Sequence, residues 1–311
     1  FIGGVTATVD LASFLKLRTQ AALDYEFLNA YQYKEKGGNK NLNGYYYDRN
    51  QNNQRWNYEA MLMFNKNFNK DFTLTANLAS SYAYVNSSVR EQVMNMLLNH
   101  DMPSISNANT IPIARESLTL QRTLSVYGSA TLGYRNYLYL DMTGRNDWSS
   151  TLPPDNDSYF YPSLGASFVF SQLLKHKNLL SYGKVRVSVA GVGNSASPYS
   201  LFNTYSNTGL FIGNPTMVYG NVLKNYDLKP EHTNSKEVGL DLGFFKQRAT
   251  LSATVYKSNT TNQIIQAQSL TETGFVSRII NAGNIQNKGI EITADFSPIQ
   301  TKDFNWDVTV H

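Results

Sequence analysis

Asp141, Arg145 and Asp147 fall on one parity of an alternating run that ends at Trp148, and Leu138, Leu140 and Met142 occupy the other. On a β-strand that spacing places two carboxylates and a guanidinium on one face and the aliphatic groups on the opposite face. Such a charged face has two uses. It can contact a bound molecule or another domain, or it can satisfy itself as an Arg–carboxylate ladder in a crowded interior. Either use keeps the charges away from hydrocarbon, since a basic side chain near a bilayer midplane costs about 2–4 kcal/mol.

The remaining candidates point away from catalysis. Pro153, Pro154, Asp155, Asn156 and Asp157 form an acidic stretch, but it lacks the spaced ligands and closing Glu of an EF-hand. His100, His176, His232 and His311 are scattered, and there is no cysteine for a thiolate site or a disulfide. No Ser/His/Asp set has recognisable context and no GxxxxGK phosphate loop occurs. The chain is therefore not expected to be an enzyme, and no metal or cofactor is expected. Aromatic residues are the other binding candidates: Tyr45, Tyr46, Tyr47, Trp148, Tyr199, Phe202, Tyr205, Phe211 and Tyr219. They could stack on sugar rings or pack against a peptide, or they could fold their own loops and touch a partner.

The elements that would position these groups are strands. Charged residues make up only 16% of the chain while Tyr contributes 21 residues, against about 25% charged in an average soluble domain. No window of about 18 apolar residues exists for a transmembrane helix, and no signal peptide is read. The net charge of +4 is carried by scattered basic residues, so a nucleic-acid partner is not expected.

Strict alternation recurs along the chain. Leu124, Val126, Ala130, Leu132 and Tyr134 alternate with Ser125, Tyr127, Ser129, Thr131 and Gly133. Val238, Leu240, Leu242 and Phe244 alternate with Glu237, Gly239, Asp241 and Gly243. About twelve such runs are predicted, near 2–12, 15–33, 54–67, 71–86, 122–135, 137–148, 158–172, 180–193, 232–245, 248–262, 284–298 and 302–311. Most reach the 9–11 residues (roughly) that a tilted strand needs to cross a bilayer.

Connections alternate between short and long. Tight turns are read near Ser13 and Phe14, near Asn67 to Lys70, at Arg135 and Asn136, at 175–178, at Lys246 and Gln247, and at 300–302. Long polar loops are read at 34–53, 87–121, 149–157, 194–231 and 263–283. Outer-membrane barrels sort their loops in this way, with short periplasmic turns and long extracellular loops. Tyr45, Tyr46, Tyr47, Tyr82, Tyr84, Tyr137, Tyr139, Tyr159, Phe160 and Tyr161 fit aromatic girdles at the two interfaces. One stretch breaks the pattern: Val89, Val93, Met96 and Leu97 share a helical face, which predicts a short helix inside the longest loop. Asn281, Ala282, Gly283 and Asn284, and again Asn287, Lys288 and Gly289, read as turns. The first run begins at Phe1 and the last stops at His311 without a closing turn, which reads as a section of a longer barrel.

Two stretches resemble the SusC/RagA-like TonB-dependent outer-membrane transporters. Residues 127–170 contain Thr143-Gly144-Arg145, Asp147, Ser149-Ser150 and Tyr161-Pro162-Ser163, where Phe is usual in place of Tyr161. Residues 228–298 contain Leu228-Lys229-Pro230-Glu231, Glu237-Val238-Gly239-Leu240-Asp241, Tyr256-Lys257-Ser258, Asn281-Ala282-Gly283, Asn287-Lys288-Gly289-Ile290-Glu291 and Ser297-Pro298. The resemblance implies an all-β, antiparallel transmembrane β-barrel, with this chain supplying about 12 strands of a plugged barrel of about 22. It further implies residence in the outer membrane of a Gram-negative bacterium of the Bacteroidota, surrounded by outer-membrane lipid. Energy would come from TonB–ExbB–ExbD through a Ton box, a SusD-like lipoprotein would cap the extracellular face, and the cargo would be an oligosaccharide or oligopeptide. Neither a plug nor a Ton box is found in these residues, which read throughout as barrel wall. Asp141, Arg145, Asp147, Trp148 and Tyr205 are the candidate lumen or substrate residues. A passive porin-like barrel and a soluble β-rich glycan-binding protein are the alternatives.

Overall fold

A computed structural model describes residues 1–37, 42–99, 102–175 and 179–310. The first eight strands are β1 (Ile2–Ala12), β2 (Leu15–Lys34), β3 (Tyr45–Asn67), β4 (Phe72–Met94), β5 (Ile113–Tyr134), β6 (Leu138–Ser149), β7 (Ser158–Phe168) and β8 (Leu180–Asn194). A long excursion follows, with β9 (Tyr205–Phe211), β10 (Asn214–Tyr219) and β11 (Val222–Leu223). The series then runs β12 (Glu231–Phe244), β13 (Ala249–Thr261), β14 (Ile264–Gln268), β15 (Ser277–Asn281), β16 (Asn284–Gln300) and β17 (Asn305–Val310). Twelve of them form one sheet in the order β1 to β8, β12, β13, β16, β17, so each wall strand lies beside the next wall strand in sequence. Among the described residues helical structure amounts to three 3₁₀ turns. The all-β reading and its twelve wall strands hold.

Two compact units make up the chain. One comprises Phe1–Ala7, Thr19–Glu59 and Ser81–Thr123, the other Thr8–Arg18, Ala60–Ser80 and Leu124–His311. The first holds the stretches by which four strands run further than alternation predicts. β2, β3, β4 and β5 have 20, 23, 23 and 22 residues, or roughly 65–75 Å of extended chain at about 3.3 Å per residue. A hydrocarbon core of about 30 Å cannot contain that length. The added stretch of β3, from Asp48 to Arg55, is polar on both parities, which suits strand standing in water.

The helix expected over 89–98 is not formed. Residues 89–94 continue β4, and Leu97 makes an isolated bridge to Ala108. Glu91 accepts from the Tyr47 hydroxyl at 2.8 Å, and Arg49 Nε lies 3.6 Å away. Met94 and Leu97 are buried, Leu97 against Gly44, whose φ of +73° admits glycine readily. Cross-strand pairing and burial outweigh the local helical spacing.

In the second unit the burial is inverted. Ile290, Val238 and Val255 are 69%, 55% and 54% exposed, whereas Asp147 and Ser125 are 5% and 2% exposed. A continuous apolar face of this extent is not left to water by a soluble protein; it matches the lipid-facing parity of a transmembrane barrel. One small apolar core, of Leu152, Tyr159, Ala196 and Leu228, ties together the connections that follow β6, β8 and β13. The turn expected at Gly283 occurs there with φ +91°. The turn expected at Asn287, Lys288 and Gly289 does not, because all three lie within β16. Gly289 instead clears the Tyr256 ring, since a Cβ would sit 2.7 Å from the phenol oxygen. Of the turn expected at 175–178, residues 176–178 lie outside the described residues.

Candidate functional site

The charged face read from the β6 sequence becomes a hydrogen-bonded wall. Arg145 Nε donates to Asp147 Oδ1 at 2.8 Å, and Arg145 Nη2 donates to Ser125 Oγ at 2.9 Å. Tyr161, opposite Arg145 on β7, donates its hydroxyl to Asp147 Oδ2 at 2.6 Å. The guanidinium also lies 5.1 Å from the centroid of the Tyr127 ring, within reach of a cation–π attraction. Both oxygens of Asp147 are thereby occupied in a site where its side chain is 8% exposed. A buried carboxylate held in this way serves as a clamp between β5, β6 and β7.

Asp141 does not join that clamp. Four residues along a strand separate side chains by about 13 Å, and Asp141 instead accepts from Thr131 Oγ1 at 2.6 Å and is solvent-exposed. Trp148 sits on the opposite parity from Asp147, paired with Ser158, where an interfacial ring is favoured. Tyr205 opens the β9–β10 hairpin, 69% exposed, with its ring 5.0 Å from that of Tyr219. The structure thus brings Arg145 and Asp147 together and leaves Asp141, Trp148 and Tyr205 apart.

Sequence reasoning missed two further sets. On β8, β12 and β13, Arg186 lies 3.5 Å from Asp241 and donates to Thr254 Oγ1 at 2.7 Å, while Ser252 donates to Asp241 at 2.7 Å. Asp295 accepts from Thr250 and Thr309 at 3.0 and 2.7 Å. These partners come from different strands, and only alternate Ser, Thr and Asp residues hinted at them. The second set occupies the long part of β3. Arg49 donates to Gln51 and Gln51 to Asn53, whose amide donates to Glu26 and whose oxygen accepts from Ser87. The only signal was an unusual density of Asn and Gln. Glu231, in the Leu228-to-Glu231 motif, accepts from the Ile264 amide at 2.7 Å and from Asn194 at 3.0 Å, holding two loop bases. Among the described residues no group of three or more His, Cys, Asp or Glu side chains could hold a metal ion; His100, His176 and His311 lie outside them.

The family model described as TonB-dependent receptor-like, beta-barrel matches residues 4–311. The chain belongs to that family. It is therefore a section of an outer-membrane barrel, and the resemblance to SusC/RagA-like transporters is borne out by its similarities. It is 27% identical over 295 residues to TonB-dependent receptor P26 of Formosa agariphila, an alignment covering 89% of this chain and 28% of that protein. It is 27% identical to TonB-dependent receptor SusC of Bacteroides thetaiotaomicron, over 61% of this chain and 20% of that protein. The fold superposes on the structure of the RagAB peptide transporter with a TM-score of 0.90 at 19% identity, covering 99% of this chain and 35% of the other. This receptor-barrel chain thus spans about a third or less of each of these three relatives.

Proposed function

We propose that the chain is the wall of a TonB-dependent importer that moves oligosaccharides or oligopeptides across the outer membrane of a member of the Bacteroidota. The observation that carries this reading is the lumen face. Arg145, Arg186, Asp147, Asp241 and Asp295 are each held by partners within the wall, and Lys184, Glu237 and Glu291 share that face, which makes a polar, hydrogen-bonding surface carrying charges of both signs. A surface of that kind suits a polar cargo rather than an apolar one. The plug, the Ton box and the further strands of a barrel of about 22 belong to the rest of the importer. TonB–ExbB–ExbD supplies the energy and a SusD-like lipoprotein covers the extracellular mouth. The exposed Asp141 is placed for plug or cargo, and Tyr205 for cargo or the lipoprotein. Arg145 and Asp147 hold the wall, and Trp148 anchors it at the interface.

The test is uptake of labelled oligosaccharides and oligopeptides by cells carrying the importer, with and without functional TonB. TonB-dependent uptake of one of these classes is the expected result. Uptake that persists without TonB makes the barrel passive, and release of the protein from membranes by a carbonate wash defeats the barrel reading altogether.

A further inference from the structure

Lys236, Lys257 and Lys288 are far apart in sequence, yet the register places them side by side. Lys236 pairs with Lys257 across β12 and β13, and Lys257 pairs with Lys288 across β13 and β16. All three are exposed and share the outward parity of Val238, Val255 and Ile290, which form the next level of the apolar band. Directly opposed residues on a sheet have Cβ atoms about 5 Å apart, and like charges so placed repel. Along the strands the outward neighbours offer no relief, with Asn234, Asn259 and Gln286 on one side of the row and aliphatic groups on the other, and β8 places Val189 beside Lys236. Among the described residues none of the three lysines has a carboxylate partner.

Beneath one end of this row lies a groove of about 440 Å³ on the same outward face. Its floor is Leu164, Val187, Val189, Val238 and Val255, and Lys236 and Lys257 stand at its edge. β12 enters from the long connection 195–230 and leaves by the tight turn at 245–248, so the lysines mark the extracellular border of the band.

We infer that the lysine row and groove bind a phosphorylated, acylated glycolipid of the outer leaflet, of the lipid A type. An acyl chain lies along the groove, and phosphate oxygens sit among the three ammonium groups, relieving their mutual repulsion. Anionic lipid headgroups attract basic residues at a membrane surface in this way, and lysine serves phosphate as a compact point charge. The inference rests on the outer-membrane orientation proposed above but not on the cargo or on TonB coupling.

Native mass spectrometry of the intact importer in detergent tests it, with bisphosphorylated lipid A, dephosphorylated lipid A, cardiolipin and inorganic phosphate as separate probes. Bisphosphorylated lipid A is expected to bind at least about tenfold more tightly than the dephosphorylated form. Inorganic phosphate is expected not to displace it. The combined Lys236→Gln, Lys257→Gln and Lys288→Gln variant is expected to lose that preference, and Leu164→Trp to weaken both lipid forms by filling the groove. Equal binding of the two lipid A forms by the unaltered protein overturns the inference without any variant. A triple variant that keeps the preference overturns it too, as does cardiolipin binding as tightly as lipid A. Uptake is measured separately, so an unaltered protein that shows no lipid preference while its TonB-dependent uptake is intact counts against this inference alone.

Discussion

Arg145 and Asp147, two residues apart on β6, meet Nε to Oδ1 at 2.8 Å, although a strand normally leaves such same-face neighbours side by side without contact. The pair closes because Tyr161 holds the other carboxylate oxygen and Ser125 the far end of the guanidinium. Replacing Asp147 by Asn strips the ionic partner from a half-buried arginine. Losing one partner of a fully buried pair costs about 3–5 kcal/mol; with Arg145 38% exposed, about 1–3 kcal/mol is expected. Thermal unfolding in detergent checks it, and an Arg145→Met/Asp147→Leu double variant should recover part of the loss.

Arg186 crosses Gly239 so closely that an added Cβ would lie 2.5 Å from its Nε. Gly239→Val should therefore push the guanidinium off Asp241 and Thr254 and destabilise the barrel by about 1–2 kcal/mol. In an Arg186→Ala background the same change should cost distinctly less. Additive costs in that double-mutant cycle would show that Arg186 is not the group displaced.

Sidedness can be tested by moving one charge. Leu240 faces outward within the apolar band and Ser188 faces the lumen. Leu240→Lys should cost about 2–4 kcal/mol and lower the folded fraction on unheated gels. Ser188→Lys should cost well under half as much. Equal costs would contradict the assignment of faces.

At the turn between β5 and β6, Arg135 donates to Asp71 Oδ1 at 2.7 Å. The Arg135 hydrogen bond holds the Asp71 carboxyl below the usual carboxylate range. Because the folded value is depressed, the contribution of Asp71 is fully present above its unfolded pKa of about 3.9 and is lost as the pH falls through the folded value. Asp71→Asn should accordingly lower stability at neutral pH and flatten the acid side of the profile below about pH 4, so that variant and parent converge at the lowest pH. Unfolding midpoints from pH 2 to 7 test this, and an unchanged acid limb would count against the pairing.

The sequence by itself determined the faces and the order of the wall. Leu138, Leu140 and Met142 could be assigned outward and Asp141, Arg145 and Asp147 inward because a strand repeats every two residues and lipid rejects charge. The same rule located all twelve wall strands, most within a residue or two of their ends. Only the tertiary structure decided who meets whom. Local alternation states a face but carries no register, so Asp147 with Tyr161, Arg186 with Asp241, and Lys236 beside Lys257 and Lys288 could not be read from spacing. It also decided the long parts of β3 and β4. Where both parities are polar, no burial pattern selects a period, and hydrogen bonding between neighbouring strands made strand of residues that locally suggested loop or helix. The Arg145–Asp147 contact belongs to both levels: alternation put the two side chains on one face, and Tyr161 and Ser125, brought from other strands, turned them toward each other.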